Sequence, residues 1–332
     1  MRTLSAHPLS KLGALLALVS AVGAALSADV PTALSLDSGR ALAASAAHRR
    51  SVVRLDWPAE GEAAVEVEGI GRLGVSGPSV PVPIASVAKV MTAYLTLRQD
   101  PLEHRGDGFT LEVTAADAED EQRRAALGQS VLPVRPGERL GERQALQALL
   151  LPSANNVAQM LAVHEAGSVD AFVRRMNTVA SRLGMASTTY TDPSGYSAST
   201  VSTASDQLKL ALIAMRRRAF AQIVNESSAV LPVVGTVSNY NQLVGDDGYV
   251  GIKTGSDGAA GGCLVFAKRV LVGDRRLVVV GDVLGQRSGS YIPAALIAGR
   301  RLGDSAAAVL RAGLFVPAGA AAIVSRRIAR LL

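Results

Sequence analysis

Three short strings constrain this chain more than any other feature of its sequence: Ser86-Val87-Ala88-Lys89, Ser153-Ala154-Asn155 and Lys253-Thr254-Gly255. Each string occurs once, and a single short pattern of this kind arises by chance in many chains. Lysine is scarce, because only five of the 34 basic residues are lysines, and two of those five lie within the strings. The ordered set of three is therefore informative where one string alone would not be.

The composition excludes some classes of function. With 332 residues and 48% apolar content, the chain is long enough for one large domain or two modest ones with a buried core. The formal net charge is +6, but residues 51–299 hold 23 basic and 25 acidic residues, so the basic surplus belongs to the two ends. We therefore expect no nucleic-acid partner for the folded part.

No metal and no cofactor are expected. Cys263 is the only cysteine, which excludes an intramolecular disulfide and a cysteine metal site, and its apolar neighbours predict a buried strand position. His7 and His48 lie near the N-terminus, while His104 and His164 have no partner at the spacing of metal ligands. We interpret the last two as surface histidines.

Both ends of the chain carry patterns typical of export and membrane contact. An uncharged apolar run over residues 12–28 predicts that residues 1–28 are an export signal, either cleaved or kept as an anchor. The body of the protein would then lie outside the cytoplasm. Residues 29–50, rich in Ala and Ser, predict a flexible spacer. The basic amphipathic tail, residues 313–332, suits either an anionic membrane surface or a solvated terminal helix.

The residues between these ends predict an α+β fold in one domain over residues 51–312. Alternating apolar residues between positions 53 and 70 predict two antiparallel strands, and a Gly/Pro-rich stretch follows over 71–83. Further along, helical spacing and then strand patterns follow: helices over 86–98, 141–150, 154–166, 169–183 and 203–217, strands over 229–234, 249–254, 262–267 and 277–283, and a last helix over 291–312. Strands at both ends of a helical middle predict an antiparallel sheet flanked by a helical subdomain.

The first string has the spacing of a nucleophile and its base. Ser86 and Lys89 stand at i and i+3 of a predicted helix, so the amine reaches the hydroxyl one turn away. A lysine acts as a base only when its pKa falls well below about 10.4, through burial or a nearby cation. Lys253 is the candidate for that cation.

The second string allows two interpretations. Ser153 follows Pro152 at a break between apolar helical runs, where its hydroxyl can relay a proton between Lys89 and a leaving group, and Asn155 can bind a substrate amide. Alternatively, Ser153 is only the N-cap of the next helix. The sequence does not decide between them.

The third string lies on a predicted strand. Gly255 lacks the side chain that would block the approach of a ligand backbone, and Lys253 and Thr254 are candidates to bind a carboxylate. The alternative is a plain strand that ends in a glycine turn.

The three strings, in this order, are those of penicillin-binding proteins and class A β-lactamases. The chain resembles the low-molecular-mass penicillin-binding proteins, which are serine-type D-alanyl-D-alanine carboxypeptidases, over about residues 50–300. Further segments share the resemblance: Pro83-Ile84-Ala85-Ser86 with Met91-Thr92, Asp192-Pro193-Ser194-Gly195, Asp247-Gly248-Tyr249-Val250-Gly251 and Ala259-Ala260-Gly261.

The resemblance implies a β-lactamase/transpeptidase-like fold and a peptidoglycan stem peptide as substrate. Ser86 would be acylated at the penultimate D-alanine carbonyl, Lys89 would be the general base, and the backbone N–H groups of Ser86 and Ser256 would form the oxyanion hole. β-Lactam antibiotics would be covalent inhibitors. Many relatives carry His-Thr after Lys-Thr-Gly, whereas this chain has Ser256-Asp257, which adds a negative charge near the expected carboxylate site.

Two alternatives stay open. A β-lactamase would need a deacylating base, and the only glutamates between Asn155 and Lys253 are Glu165 and Glu226, neither in a suitable pattern. A catalytically weak penicillin-binding scaffold is the second alternative, and Ser256-Asp257 is the only sequence feature that favours it.

Overall fold

The computed structural model describes residues 54–102 and 108–314. Its strands are β1 Glu62–Val67, β2 Gly71–Ser76, β3 Val82–Pro83, β4 Thr110–Glu112, β5 Arg139–Gly141, β6 Val201–Ser202, β7 Ser228–Leu231, β8 Gly235–Ser238, β9 Tyr249–Asp257, β10 Gly261–Val272 and β11 Arg275–Gln286. Its α-helices are α1 Lys89–Gln99, α2 Ala115–Ala126, α3 Glu142–Leu150, α4 Asn155–Ala166, α5 Val169–Arg182, α6 Ala204–Met215, α7 Arg218–Val224 and α8 Tyr291–Arg311.

The fold is α+β, built on one five-stranded sheet with the order β2-β1-β11-β10-β9. Every neighbouring pair in this sheet is antiparallel. N-terminal and C-terminal strands therefore pair directly, and the chain between them forms the helical part. β9, which carries the third string, lies at one edge of the sheet, where its outer side has no neighbouring strand.

The two faces of the sheet are covered by different elements. On one face, Leu264 and Phe266 of β10 pack in a cluster with residues of α8. On the other face, Val265 and Ala267 belong to the larger core of the helical part. Both faces of β10 are buried, which explains its nearly continuous apolar sequence. Cys263 is fully buried in this strand, as the sequence predicts.

Helix α1 runs through the centre of the helical part. All nine residues from Lys89 to Leu97 are buried, so this helix is surrounded by protein on every side. A helix in such a position is apolar around its whole circumference. Lys89 is the only charged residue in that buried run, and it stands at the helix start, directly beside the first string's serine.

The structure corrects the sequence-based prediction at the N-terminal side. Residues 54–58 form no strand, and the second strand of the pair is β2, inside the Gly/Pro-rich stretch over 71–83, for which no strand was predicted. β2 is an edge strand whose side chains are largely half-buried, so it lacks an apolar pattern. The polar helix α2 was also not predicted, because only two of its residues are buried. β7 pairs with β8 in a separate hairpin outside the main sheet.

The predicted export segment, the spacer and most of the basic tail lie outside the described residues. Among residues 54–102 and 108–314, no helix is both long enough and apolar enough to cross a membrane.

Candidate active site

The first two strings meet at the start of helix α1. Ser86 lies in a 3-10 turn, Ala85–Ala88, which leads directly into α1, and its side chain is partly exposed. The amine nitrogen of Lys89 lies 2.7 Å from Ser86 Oγ and 2.6 Å from the side-chain oxygen of Asn155, the first residue of α4. The structure therefore brings a reachable hydroxyl and a fully buried amine into direct contact.

A third contact of Lys89 comes from a tight loop between α5 and β6. The amine donates to the backbone oxygen of Ser194 at 3.0 Å. The carboxylate of Asp192 shapes this loop by accepting from the backbone N–H groups of Ser194, Gly195 and Ser197. Gly195 has a φ of 77°, and an added Cβ would lie 1.8 Å from the backbone oxygen of Ala85, so the loop packs against the turn that carries the serine.

The surroundings of Lys89 favour the neutral amine. Burial holds its pKa well below the usual range, and the Lys253 ammonium and the Arg124 guanidinium lower it further. The Asp192 carboxylate acts in the opposite direction. Because burial and the two cations outweigh the carboxylate, Lys89 has the property required of a general base.

The amide of Asn155 is oriented by a chain of side chains from α2. Its nitrogen donates to Gln129 Oε1 at 2.8 Å, which leaves its oxygen directed at Lys89. Arg124 also donates to Gln129 Oε1, at 3.2 Å, and is itself held by Asp120 at 2.6 Å. Both ends of the Asn155 amide are thus bonded within the protein, which favours a role in positioning Lys89 over the substrate contact expected from the sequence.

Ser153 does not cap helix α4. The N-cap of that helix is Ala154, and no side chain there bonds to the helix N-terminus. Ser153 has a φ of 68°, a strained conformation for serine, and its buried hydroxyl has no hydrogen-bond partner among the described residues. The capping interpretation is therefore wrong, and the hydroxyl is available for other chemistry.

The third string lies on the edge strand β9. Lys253 is fully buried, its amine donates to the backbone oxygen of Thr254 at 2.9 Å, and burial lowers its pKa to about 7. Side chains alternate along a strand, so Lys253 and Gly255 share one face of the sheet. Thr254 is also buried and points to the other face, where its neighbour Leu264 packs.

Gly255 is required by a contact within the protein. A Cβ at this position would lie 3.0 Å from the backbone nitrogens of Ser86 and Val87 and from the backbone oxygen of Ile84. The sequence predicted that a glycine is needed here for the approach of a ligand. The structure shows instead that β9 itself packs against the serine turn. Ser256 is the next residue of β9, so its backbone begins directly after this contact.

Asp257, one of the two residues at which the sequence departs from the family that it resembles, has a structural role. Its carboxylate accepts from the backbone N–H groups of Ala259 and Ala260 at 2.8 and 2.7 Å, and so caps the turn between β9 and β10. Arg287 donates to backbone oxygens of the same turn. The negative charge is therefore held by backbone donors, in a turn whose backbone oxygens bind the Arg287 guanidinium.

The glutamates considered for a β-lactamase lie in other contacts. Glu165 sits near the end of α4, 4.0 Å from Arg175, and Glu226 accepts from Gln147. Neither bonds to Ser86 or Lys89 in the described residues.

The residues that sequence reasoning missed act through backbone or at a distance. Ser194 contributes only its carbonyl, which no side-chain pattern reveals. Gln129 and Arg124 lie on or just after the unpredicted helix α2. Asp192 carried a signal, because an Asp-Pro-Ser-Gly string is typical of a side-chain-capped turn.

The geometry joins a serine hydroxyl, a lysine that favours its neutral form and a cationic strand, and the unbonded Ser153 hydroxyl belongs to the residue two positions before Asn155. Such a set supports nucleophilic attack by Ser86 with Lys89 as the base. It contains no group of three or more His, Cys, Asp or Glu side chains that would hold a metal ion, as far as the described residues extend.

Comparison with known proteins agrees with this geometry. The family model for D-alanyl-D-alanine carboxypeptidases, peptidase family S11, matches residues 73–286. The chain is 33% identical to the D-alanyl-D-alanine carboxypeptidase DacB2 of Mycobacterium tuberculosis, over 68% of this chain and 74% of that protein. It is 34% identical to a D-alanyl-D-alanine endopeptidase of Pseudomonas aeruginosa, over 55% of this chain but only 56% of the relative.

Solved structures show the same fold. The crystal structure of the Streptomyces K15 DD-transpeptidase aligns with a TM-score of 0.65 and 26% identity, covering 76% of this chain and 98% of the other. An evolved putative penicillin-binding protein homologue from Mycobacterium tuberculosis aligns with a TM-score of 0.64 and 30% identity, over 77% and 94%. The chain therefore belongs to the S11 family of D-alanyl-D-alanine carboxypeptidases, the low-molecular-mass penicillin-binding proteins.

Proposed function

We propose that this protein is a serine-type D-alanyl-D-alanine carboxypeptidase that removes the terminal D-alanine from peptidoglycan stem pentapeptides. The observation that carries the proposal is the set of three contacts around Lys89 Nζ, to Ser86 Oγ, Asn155 Oδ1 and the Ser194 carbonyl. A neutral amine has two N–H donors and one lone pair. The two carbonyl oxygens accept both N–H groups, which leaves the lone pair for the hydroxyl proton of Ser86.

The reaction follows from this arrangement. Ser86 Oγ attacks the carbonyl carbon of the penultimate D-alanine while its proton passes to Lys89. Backbone N–H groups of Ser86 and Ser256 stabilise the oxyanion. The packing of Gly255 against the serine turn supports this assignment. The proton moves from Lys89 to the leaving nitrogen, with the unbonded Ser153 hydroxyl as relay. The C–N bond breaks, and D-alanine leaves.

Hydrolysis completes the cycle. Water loses a proton to Lys89 and attacks the Ser86 ester, and the released serine oxygen takes that proton back. Lys253 binds the terminal carboxylate of the substrate, because it is the cation of the third string, whereas the Thr254 side chain points to the other face of the sheet and takes no part. A β-lactam would acylate Ser86 in the same way, but its leaving nitrogen stays attached to the acyl group.

The family and the sequence support a location on the cell-wall side of the membrane. Peptidoglycan lies outside the cytoplasm, and residues 12–28 have the pattern of an export signal. The protein is secreted or membrane-associated in this proposal, and the basic tail over residues 313–332 is the candidate for contact with an anionic membrane surface.

A second activity on the same site is cleavage of D-alanyl cross-links. It is favoured by the Pseudomonas and Escherichia coli relatives, which are described as endopeptidases at 34% and 31% identity. The same acyl-enzyme on Ser86 would form, with a cross-linked peptide amine as the leaving group instead of free D-alanine.

The test uses the purified protein with diacetyl-L-Lys-D-Ala-D-Ala, a cross-linked muropeptide dimer and a fluorescent penicillin. We expect release of D-alanine and a persistent penicillin adduct, both absent in Ser86→Ala, with peptide mapping locating the adduct on Ser86. Rapid release of hydrolysed penicillin would instead indicate a β-lactamase. Penicillin labelling without product from either peptide would indicate a catalytically weak scaffold.

A further inference from the structure

A cleft at the far end of helix α1 is lined by arginines. Its volume is ≈ 520 Å³, and it lies between the end of α1 and the outer face of α5. Helix α1 has eleven residues, so this cleft is about 15 Å along the helix from Lys89. It is separate from the active site, and its lining includes Arg98, Gln99, Arg174, Arg175, Thr178 and Arg182.

Most of these guanidinium groups have no ionic partner among residues 54–102 and 108–314. Arg175 donates to Gln99 and lies 4.0 Å from Glu165. Arg98, Arg174 and Arg182 are exposed and form no salt bridge within the described part of the chain. The carboxylates on the adjoining segments, Asp100 and Asp170, do not line the cleft.

The arrangement on α5 is regular. Arg174, Thr178 and Arg182 stand four residues apart, so they follow one face of the helix over two turns. Like charges gathered in one concavity repel each other, and a bound anion offsets that repulsion. Surface arginines often complement the C-terminal ends of helices, which accounts for Arg98 and Arg182, but Arg174 lies in the middle of α5.

We propose that this cleft binds a soluble phosphodiester polyanion. Guanidinium groups pair with phosphate through two parallel hydrogen bonds. The Thr178 hydroxyl between two of them donates to the backbone oxygen of Arg174, so the guanidinium groups supply the donors for the ligand. Guanidinium groups distributed over two turns of α5 and the end of α1 match a ligand with several phosphates better than a single ion. The concave shape favours an oligomer over a flat membrane surface.

The experiment measures binding of a synthetic glycerol-phosphate hexamer to the full-length protein by isothermal titration calorimetry at low salt. The test variant is Arg174→Gln/Arg182→Gln, and the matched control is Arg275→Gln/Arg276→Gln, which removes the same charge from the exposed start of β11. Basic residues at the chain ends are present in all three proteins. We expect the test variant to bind at least about tenfold more weakly, while the control binds like the wild type.

Folding is checked separately by the thermal unfolding midpoint and the rate of penicillin labelling, neither of which the substitutions should change. Binding is measured without peptidase activity, so a failure here is distinct from a failure of the proposed function. Equal weakening by both double variants, or no binding by the wild type, would overturn the proposal. Binding to phosphatidylglycerol vesicles without binding to the hexamer would overturn it as well, because the ligand would then be a membrane surface.

Discussion

The side-chain oxygen of Asn155 lies 2.6 Å from the amine nitrogen of Lys89 and accepts a hydrogen bond from it. This contact uses one N–H of the amine, and the Ser194 carbonyl uses the other. The direction of the remaining lone pair is therefore set by two acceptors that come from distant parts of the chain.

Replacing Lys89 with arginine should nearly abolish acylation. A guanidinium stays protonated at any relevant pH and has no lone pair for the Ser86 proton, so we expect the penicillin acylation rate to fall by about 10²–10⁴-fold. Stopped-flow measurement with a fluorescent penicillin gives the rate. Lys209→Arg is the control, because Lys209 bonds to Asp206 away from the site, and its rate should equal the wild type's. Acylation of Lys89→Arg at the wild-type rate would exclude Lys89 as the base.

Gln129 is predicted to position Asn155 and, through it, Lys89. In Gln129→Leu the Asn155 nitrogen loses its acceptor, so the amide can turn its N–H groups towards the amine. We expect about a tenfold lower kcat for D-alanine release with little change in KM, and a shifted acidic limb of the pH profile. Gln159→Leu is the matched control, because Gln159 accepts from Arg124 but forms no side-chain hydrogen bond with Asn155. A loss of kcat with an unshifted pH profile would contradict the positioning role.

The pH dependence of kcat/KM should follow the protonation state of Lys253. Its ammonium form binds the substrate carboxylate, and its pKa is about 7 because of burial. The cation is present below that value and is lost above it, so kcat/KM should fall as the pH rises through about 7. Burial holds the Lys89 pKa well below its usual range. Lys89 acts as the base in its neutral form, so its deprotonation contributes a rise with pH, opposite in sign to the fall caused by Lys253. Lys253→Arg should remove the alkaline fall, whereas a wild-type profile that stays flat from pH 6 to 9 would contradict this assignment.

Gly255→Ala should impair acylation more than stability. The new Cβ would lie 3.0 Å from the backbone nitrogens of Ser86 and Val87, so the serine turn or strand β9 must move by a few tenths of an ångström. Such a shift in a reacting group typically costs about 10–100-fold in rate. Gly258→Ala is the control, since nothing lies within 4 Å of its added Cβ. Comparable penicillin acylation rates for the two variants would show that the contact at Gly255 is not limiting.

The sequence predicted the elements with strong periodicity and missed those without it. The predicted helices over residues 154–166 and 169–183 correspond closely to α4 and α5, because each carries an apolar face and ends before a glycine. Most residues of α2 are exposed or half-buried, and β2 is a largely half-buried edge strand, so no hydrophobic pattern marks either element.

The active site likewise contains residues that the sequence predicted and residues that it missed. Ser86, Lys89 and Asn155 were identified from their strings, and the structure brings them into contact. The Ser194 carbonyl and Gln129 belong to segments whose positions depend on tertiary packing, which the local sequence does not encode. The reason for Gly255 was also misread, because the neighbour that excludes its Cβ is the protein's own backbone.

The last prediction concerns a buried carboxyl in the sheet. Asp282 of β11 is fully buried, and burial, together with the nearby Glu62, raises its pKa well above the usual range. Because the folded-state pKa is higher than the unfolded value of about 3.9, its stabilising contribution is complete below that value and is lost as the pH rises through the folded-state pKa. At neutral pH the residue therefore lowers stability.

Asp282→Asn should remove this dependence. We expect the variant to be more stable than the wild type at pH 7 by about 1–3 kcal/mol in urea unfolding, with the difference shrinking towards pH 4. Asp274→Asn, in the exposed turn before β11, is the control and should change stability by less than about 0.5 kcal/mol at either pH. A stability difference that stays the same from pH 4 to 7 would show that the Asp282 carboxyl is not the titrating group. Since Val265 separates Asp282 from Lys253 across the sheet, the gain in stability should leave the penicillin acylation rate unchanged.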